Sequence, residues 1–120
     1  KTLFEQAVHS NKNTVVLEQE GKVVGYAIVS YVVGEAELLN ICIAKNQQGK
    51  KLGLLLLNHL IEDAKKHNNQ EMYLEVRVTN TAAIALYEGQ DFNQIGLRKD
   101  YYPVKGGRED AMLMARSLLF

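Results

Sequence analysis

Between Tyr73 and Gly89 the chain changes from a strand period to a helical one across Thr79-Asn80, and that junction restricts the folds open to it. Tyr73 to Val78 alternates polar and apolar side chains, the spacing of a strand with one covered face. Asn80 is a helix N-cap residue, and the alanine-rich run from Thr81 to Gly89 predicts a short helix. Glu75 stands mid-strand, where burying a carboxylate is costly unless it has a use. Tyr87 lies near the far end of the helix. The junction thus sets a proton acceptor and a proton donor on adjoining elements, a pairing suited to acid–base chemistry.

The remaining patterns complete a layered fold. Residues 1–10 read as the end of a helix, with Leu3, Phe4, Ala7 and Val8 on one face. Thr14 to Gln19 and Lys22 to Tyr31 read as strands joined by a hairpin at Glu20-Gly21. Ala36 to Ala44 is a third strand, apolar enough for burial on both faces. A helix from Leu52 to His67 follows the polar segment Lys45 to Lys51. It turns Leu57, Leu60, Ile61 and Ala64 inward and Glu62, Asp63, Lys65 and Lys66 to solvent. Glu71 to Val78 is the next strand, and closing strands are expected near Gln94–Tyr102 and Ala111–Arg116. A strand meander followed by β-loop-α-β-α predicts the α/β (α+β) class: a mixed central sheet with helices on both faces.

Composition narrows the functions. A chain of 120 residues is large enough for one domain and one core. Its 14 basic and 14 acidic side chains balance, so no overall field favours nucleic acid or an anionic membrane. The longest apolar stretch, around Ala27 to Val33, is broken by Ser30 and is far too short to span a bilayer. Cys42 is the only cysteine and has no internal disulfide partner, which fits a reducing cytoplasm. His9, His59 and His67 lack metal-ligand spacing, so no metal site is expected. The first residue is Lys1 rather than methionine, which points to a chain trimmed at its start.

Each candidate residue also has a plain structural use. Gln48-Gly49-Lys50-Lys51-Leu52-Gly53-Leu54 reads as an ordinary polar loop before a helix, or as a phosphate site built on unpaired N–H groups and the macrodipole. An ion pair with Arg77, two residues on along the same face, accounts for Glu75 without catalysis. Tyr87 is equally an amphipathic core aromatic, and Cys42 a small buried apolar residue. Capping alone explains Asn80. Tyr101-Tyr102-Pro103 and Glu109-Asp110 frame a loop between the last two strands.

Three blocks tip these alternatives. They are Glu35-Ala36-Glu37-Leu38-Leu39-Asn40-Ile41, then Leu74 through Tyr87 with Phe92, then Tyr101-Tyr102-Pro103 with Gly107-Arg108-Glu109-Asp110-Ala111. On them the chain resembles the GNAT acetyltransferases from about Gly21 to Ala115, and in particular the branch that acetylates an N-terminal alanine of a small-subunit ribosomal protein. The resemblance implies one GNAT domain over residues 1–120, with a strand and helix missing ahead of Lys1. It implies acetyl-CoA as cosubstrate, its pyrophosphate at Gln48, Gly49, Lys50, Lys51, Leu52, Gly53 and Leu54. The pantetheine arm is placed along Ile41, Cys42 and Ile43, with a hydrogen bond from Asn80. Glu75 becomes the general base and Tyr87 the general acid, with direct attack by a protein N-terminal amine and no covalent intermediate. The tyrosine-bearing loop closes over the acceptor. One departure stands out: the family's Gln/Arg-x-x-Gly-x-Gly/Ala loop has Lys51 where its middle glycine falls. That change, with the missing N-terminal segment, favours a non-catalytic acyl-CoA-binding module as one rival. A GNAT enzyme for a small amine or a lysine is the other.

Overall fold

The computed structural model describes residues 2–9, 12–49 and 51–119. The elements are β1 (Thr2–His9), β2 (Lys12–Gln19), β3 (Lys22–Val32), β4 (Glu35–Ile43), α1 (Leu52–Lys66), β5 (Glu71–Arg77), α2 (Thr81–Gly89), β6 (Asn93–Val104) and β7 (Gly107–Ser117), with a 3₁₀ turn at Lys45–Gln47. Among the described residues the strands form one sheet in the order β1-β2-β3-β4-β5-β7-β6. β4 and β5 are parallel, joined through α1, and the other neighbours are antiparallel. Two-residue turns set the hairpin registers. Glu20-Gly21 has φ of 53° and 76°, the positive pair that matches the twist of the strands it joins.

Alternation decides which side is buried. Ala36 and Leu38 of β4, Met72, Leu74 and Val76 of β5, and Val15 and Leu17 of β2 all point to one face. Leu56, Leu57, Leu60, Ile61 and Ala64 of α1 close over that face, and Tyr87 of α2 with Phe92 joins the same cluster. The mixed sheet and its flanking helices match the expected class, and the bounds of α2 coincide with the expected helix. The helices differ from expectation: among the described residues α1 and α2 share one buried cluster rather than taking one face each. For the same reason β4 is not buried on both faces. Glu35 and Glu37 alternate outward with its buried residues.

Residues Thr2–His9 form an edge strand, not the expected helix. A segment this short holds a helix weakly by itself, whereas the open edge of β2 offers a partner to every residue from Thr2 to His9. Phe4 and Gln6, two apart on one face, both meet α1: the Phe4 ring stacks on His59 at 3.9 Å and Gln6 Nε2 lies 3.1 Å from His59 Nε2. Asp63 also departs from expectation by turning inward, because Tyr31 Oη (2.7 Å) and Asn13 Nδ2 (3.2 Å) donate to it. Burial and that carboxylate push the Tyr31 hydroxyl well above its usual range. β6 and β7 run farther than expected, so Tyr101-Tyr102-Pro103 and Glu109-Asp110 belong to a long hairpin rather than a loop.

Candidate active site

The site begins where two strands part. β4 and β5 pair from Glu35↔Glu71 to Leu38↔Leu74 and no farther. β4 stays bound to β3 as far as Gly25↔Ile43, and β5 to β7 as far as Arg77↔Ala111. The cause is local. Ile28 faces Asn40 while the next residue, Val29, faces Leu38, so Leu39 is an extra residue in β4. Such a bulge bends its strand and increases the local twist. The wedge it opens is a cleft of about 210 Å³ bordered by Asn40, Ile41, Glu75, Asn80, Tyr87 and Tyr102.

Glu75 and Tyr87 reach this wedge from different sides. Leu74 and Val76 point to the core under the helices, so Glu75 between them lies on the opposite face of the sheet. Tyr87 comes from α2, 6% exposed, its ring edge-on to Phe92 with centroids 5.9 Å apart. Burial first, then the neighbouring Tyr102, pushes the Tyr87 hydroxyl above its usual range, so it stays protonated at neutral pH. The alternative ion pair of Glu75 with Arg77 is replaced among the described residues by two others. Arg98 Nε of β6 lies 3.2 Å from Glu75 Oε1, and Arg77 Nη1 lies 3.5 Å from Glu109 Oε2. Register brings Arg98 there: Arg98 pairs with Ala111, and Ala111 with Arg77.

Two further grooves continue the wedge toward α1. The first, about 240 Å³, has Ile41, Cys42 and Ile43 along one wall and Asn80, Ala83 and Tyr87 along the other. It shares Ile41, Asn80 and Tyr87 with the inner cleft. Cys42 is exposed there instead of buried, as is its cross-strand neighbour Tyr26, since both lie on the sheet face turned away from α1. The second, about 530 Å³, lies between the Gln48–Leu54 loop and Ala82, Ala83 and Leu86 of α2.

The loop itself leads into α1 through two positive-φ residues, Gly49 and Lys51. Gln48 Nε2 donates to Ile43 O at 3.2 Å, tying the loop to the end of β4. Gly49 has φ 83°. Lys51 is the N-cap of α1 at φ 61°, ψ 21°, without a side-chain capping bond. Lys51, whose side chain can only donate, thus gives the first turn of α1 no capping acceptor, a condition under which a helix start can receive an anion. Gly53 faces α2, where a Cβ would lie 3.6 Å from Leu86 Cδ2, and Leu52 is buried in the core beside it. Lys50 lies outside the described residues. Asn80 caps α2, its Oδ1 accepting from Ala83 N at 3.2 Å, which leaves the Nδ2 donor out of the cap.

Ile41, Cys42, Ile43, Gln48, Gly49, Lys51, Leu52, Gly53, Leu54, Asn80, Glu75 and Tyr87 thus line one connected groove. Sequence reasoning missed Arg98 entirely and gave Tyr102 only a place in a loop. Both reach Glu75's surroundings through long-range register, which leaves no local signal. Glu75 is among the charges that push the Tyr102 hydroxyl upward, after burial.

The model of the acetyltransferase (GNAT) family matches residues 1–92, and the chain belongs to that family. Over 99 residues it is 46% identical to the ribosomal protein bS18-alanine N-acetyltransferase of Escherichia coli K12, covering 82% of this chain and 67% of that one. The Haemophilus influenzae enzyme of the same name is 44% identical over 100 residues, 82% of this chain and 68% of the relative. The crystal structure of the ribosomal-protein-S18-alanine N-acetyltransferase from Escherichia coli superposes with a TM-score of 0.89 at 41% identity, covering 94% of this chain and 73% of that one.

Proposed function

We propose that this protein transfers the acetyl group of acetyl-CoA to the α-amine of an N-terminal alanine, on a ribosomal protein of the bS18 kind, within one catalytic domain. The observation that carries the reading is the wedge between β4 and β5, with a carboxylate on one side and a buried, protonated tyrosine on the other. The identity to bS18-alanine acetyltransferases supports the acceptor. An acceptor on the ribosome and a lone cysteine both fit a cytoplasmic enzyme.

The residues divide the work by position. The loop N–H groups at Gly49, Lys51 and Leu52 and the start of α1 receive the diphosphate of CoA. The open edge of β4 at Ile41-Cys42-Ile43 offers main-chain groups to the amides of the pantetheine arm, as it would to an added strand. Asn80 supplies its Nδ2 to the same arm. Glu75, directly or through a water, accepts the proton of the incoming ammonium. An α-amine with a pKa near 8 is neutral in roughly a tenth or more of molecules at neutral pH, so a modest base suffices. The amine attacks the thioester carbonyl, the C–N bond forms and the C–S bond breaks. Tyr87 donates its proton to the departing thiolate.

Acetylation assays with an alanine-starting peptide test this. The expected product carries one acetyl group on the α-amine, and blocking that amine abolishes transfer. Mass spectra showing modification only on internal lysines overturn the assignment.

A further inference from the structure

Glu109 of β7 is absent from the walls of the three linked grooves, yet it touches the elements that frame them. Its Oε1 accepts from the main-chain N–H of Thr79 at 3.0 Å and from the Thr79 hydroxyl. Thr79 directly precedes Asn80, the cap from which α2 and its Tyr87 start. Its Oε2 meets Arg77 Nη1 at 3.5 Å, and the Arg77 guanidinium lies 4.4 Å from the centre of the Tyr102 ring. Tyr102 borders the inner cleft on the hairpin side and is itself the cross-strand partner of Glu109. The hydroxyl and amide of Thr79, then Arg77, hold the Glu109 carboxyl below its usual range, so it is ionised at neutral pH. The flanking residues stiffen the same hairpin: Arg108 Nε donates to Asp100 O at 2.7 Å and Asp100 N donates to Asp110 Oδ1 at 2.9 Å.

One carboxylate therefore straps the turn that launches α2 to the hairpin that carries Tyr101 and Tyr102. A ligand on the α2 side that fixes Asn80 and Tyr87 also fixes Thr79. Through Glu109 it fixes Arg77 and the face of Tyr102. Ordering one side lowers the cost of ordering the other, which is a coupling free energy between two ligands and is reciprocal. We propose that Glu109 is a positioning residue that couples the cofactor side of the groove to the acceptor side, so that acetyl-CoA and the acceptor N-terminus each raise the affinity for the other. This rests on reading the groove as the acetyl-CoA site.

Free CoA and an unacetylated alanine-starting peptide bind without turnover, which allows the coupling to be measured by calorimetry. The peptide Kd is determined with and without saturating CoA for the native chain, Glu109→Ala and Glu109→Gln. The native ratio is expected to be about 5-fold or more, in the ordinary range of coupling between sites. In Glu109→Ala the ratio falls toward one while the Kd for CoA alone changes less. Glu109→Gln keeps a neutral acceptor for Thr79 but loses the charge facing Arg77, and gives an intermediate ratio. A purely structural residue would shift both binary affinities and leave their ratio intact. A native ratio of one, or an undiminished ratio in both variants, overturns the coupling while the cofactor reading stands. Failure of the native chain to bind CoA overturns both.

Discussion

β4 and β5 run side by side for four residue pairs and then separate, and their two halves do opposite things. In the joined half, Ala36, Leu38, Met72 and Leu74 are buried and the backbone is paired. In the open half, Asn40 and Cys42 are exposed, Glu75 keeps partial access to water, and the facing strand edges are left to each other across the wedge. The side-chain pattern of β5 does not change between the halves: Met72, Leu74 and Val76 all point inward. What changes is the backbone partner, removed by the single extra residue Leu39. An open strand edge is thus made inside a sheet without disturbing the core beneath it.

The contrast is broken most forcefully in the open half. Glu75→Gln removes the proposed base and keeps its shape, and Tyr87→Phe removes only the hydroxyl. Each is expected to lower kcat by about 10²–10⁴-fold, with smaller changes in acetyl-CoA affinity. Steady-state kinetics with the alanine-starting peptide checks this, and near-native turnover in both would make them structural residues.

In the joined half the effect moves from rate to stability. Leu74→Ala empties a site that is 2% exposed, and such a truncation costs about 2–5 kcal/mol. Urea unfolding reads the loss. An unchanged midpoint would show that the wedge side of the sheet, not the joined side, carries the packing.

A smaller effect is expected at the far end of the groove, where Lys51 has φ 61°. A side chain in the left-handed region costs about 1–2 kcal/mol relative to glycine. Its ammonium offsets part of this if it meets the diphosphate, and salt screens that attraction. Lys51→Gly is therefore expected to tighten acetyl-CoA binding at high salt and to change it less at low salt. Calorimetric titration at two ionic strengths decides. Equal weakening at both would mean the lysine is a fitted part of the site.

The smallest expected effect concerns the strap across the open half, from the turn before α2 to the tyrosine hairpin. With its carboxyl held below the usual range, Glu109 is ionised above the ordinary carboxylate pKa, and its strap is lost as pH falls through the lowered value. Thr79→Val removes the hydroxyl that does most to hold it there. Carboxyl NMR titration should then find the Glu109 midpoint moved up toward the ordinary value. An unmoved midpoint assigns the shift to another partner.

Local pattern made much of this legible. Asn80 with the alanine run gave the bounds of α2, the apolar spacing from Leu52 gave α1, and Glu20-Gly21 gave a hairpin, because caps, helical faces and positive-φ turns are written in neighbouring residues. The start of the chain shows the limit. Leu3, Phe4, Ala7 and Val8 fit a helical face, but Thr2–His9 pairs with β2, since an available sheet edge outweighs a weak local preference. Glu75 and Tyr87 were recognisable as chemical types and by family resemblance, whereas Arg98 and Tyr102 were not tied to them.

The sequence by itself determined the elements from β2 onward, the order in which they follow and the apolar face of α1, because propensity and periodicity act over a few residues. Only the tertiary structure decided that β4 and β5 part after Leu38 and Leu74, that Arg98 rather than Arg77 pairs with Glu75, and that Glu109 joins the turn before α2 to the tyrosine hairpin. Those contacts depend on strand register and on one bulge. Register is set by the fit of whole strands against a shared core, which no short stretch of residues specifies alone.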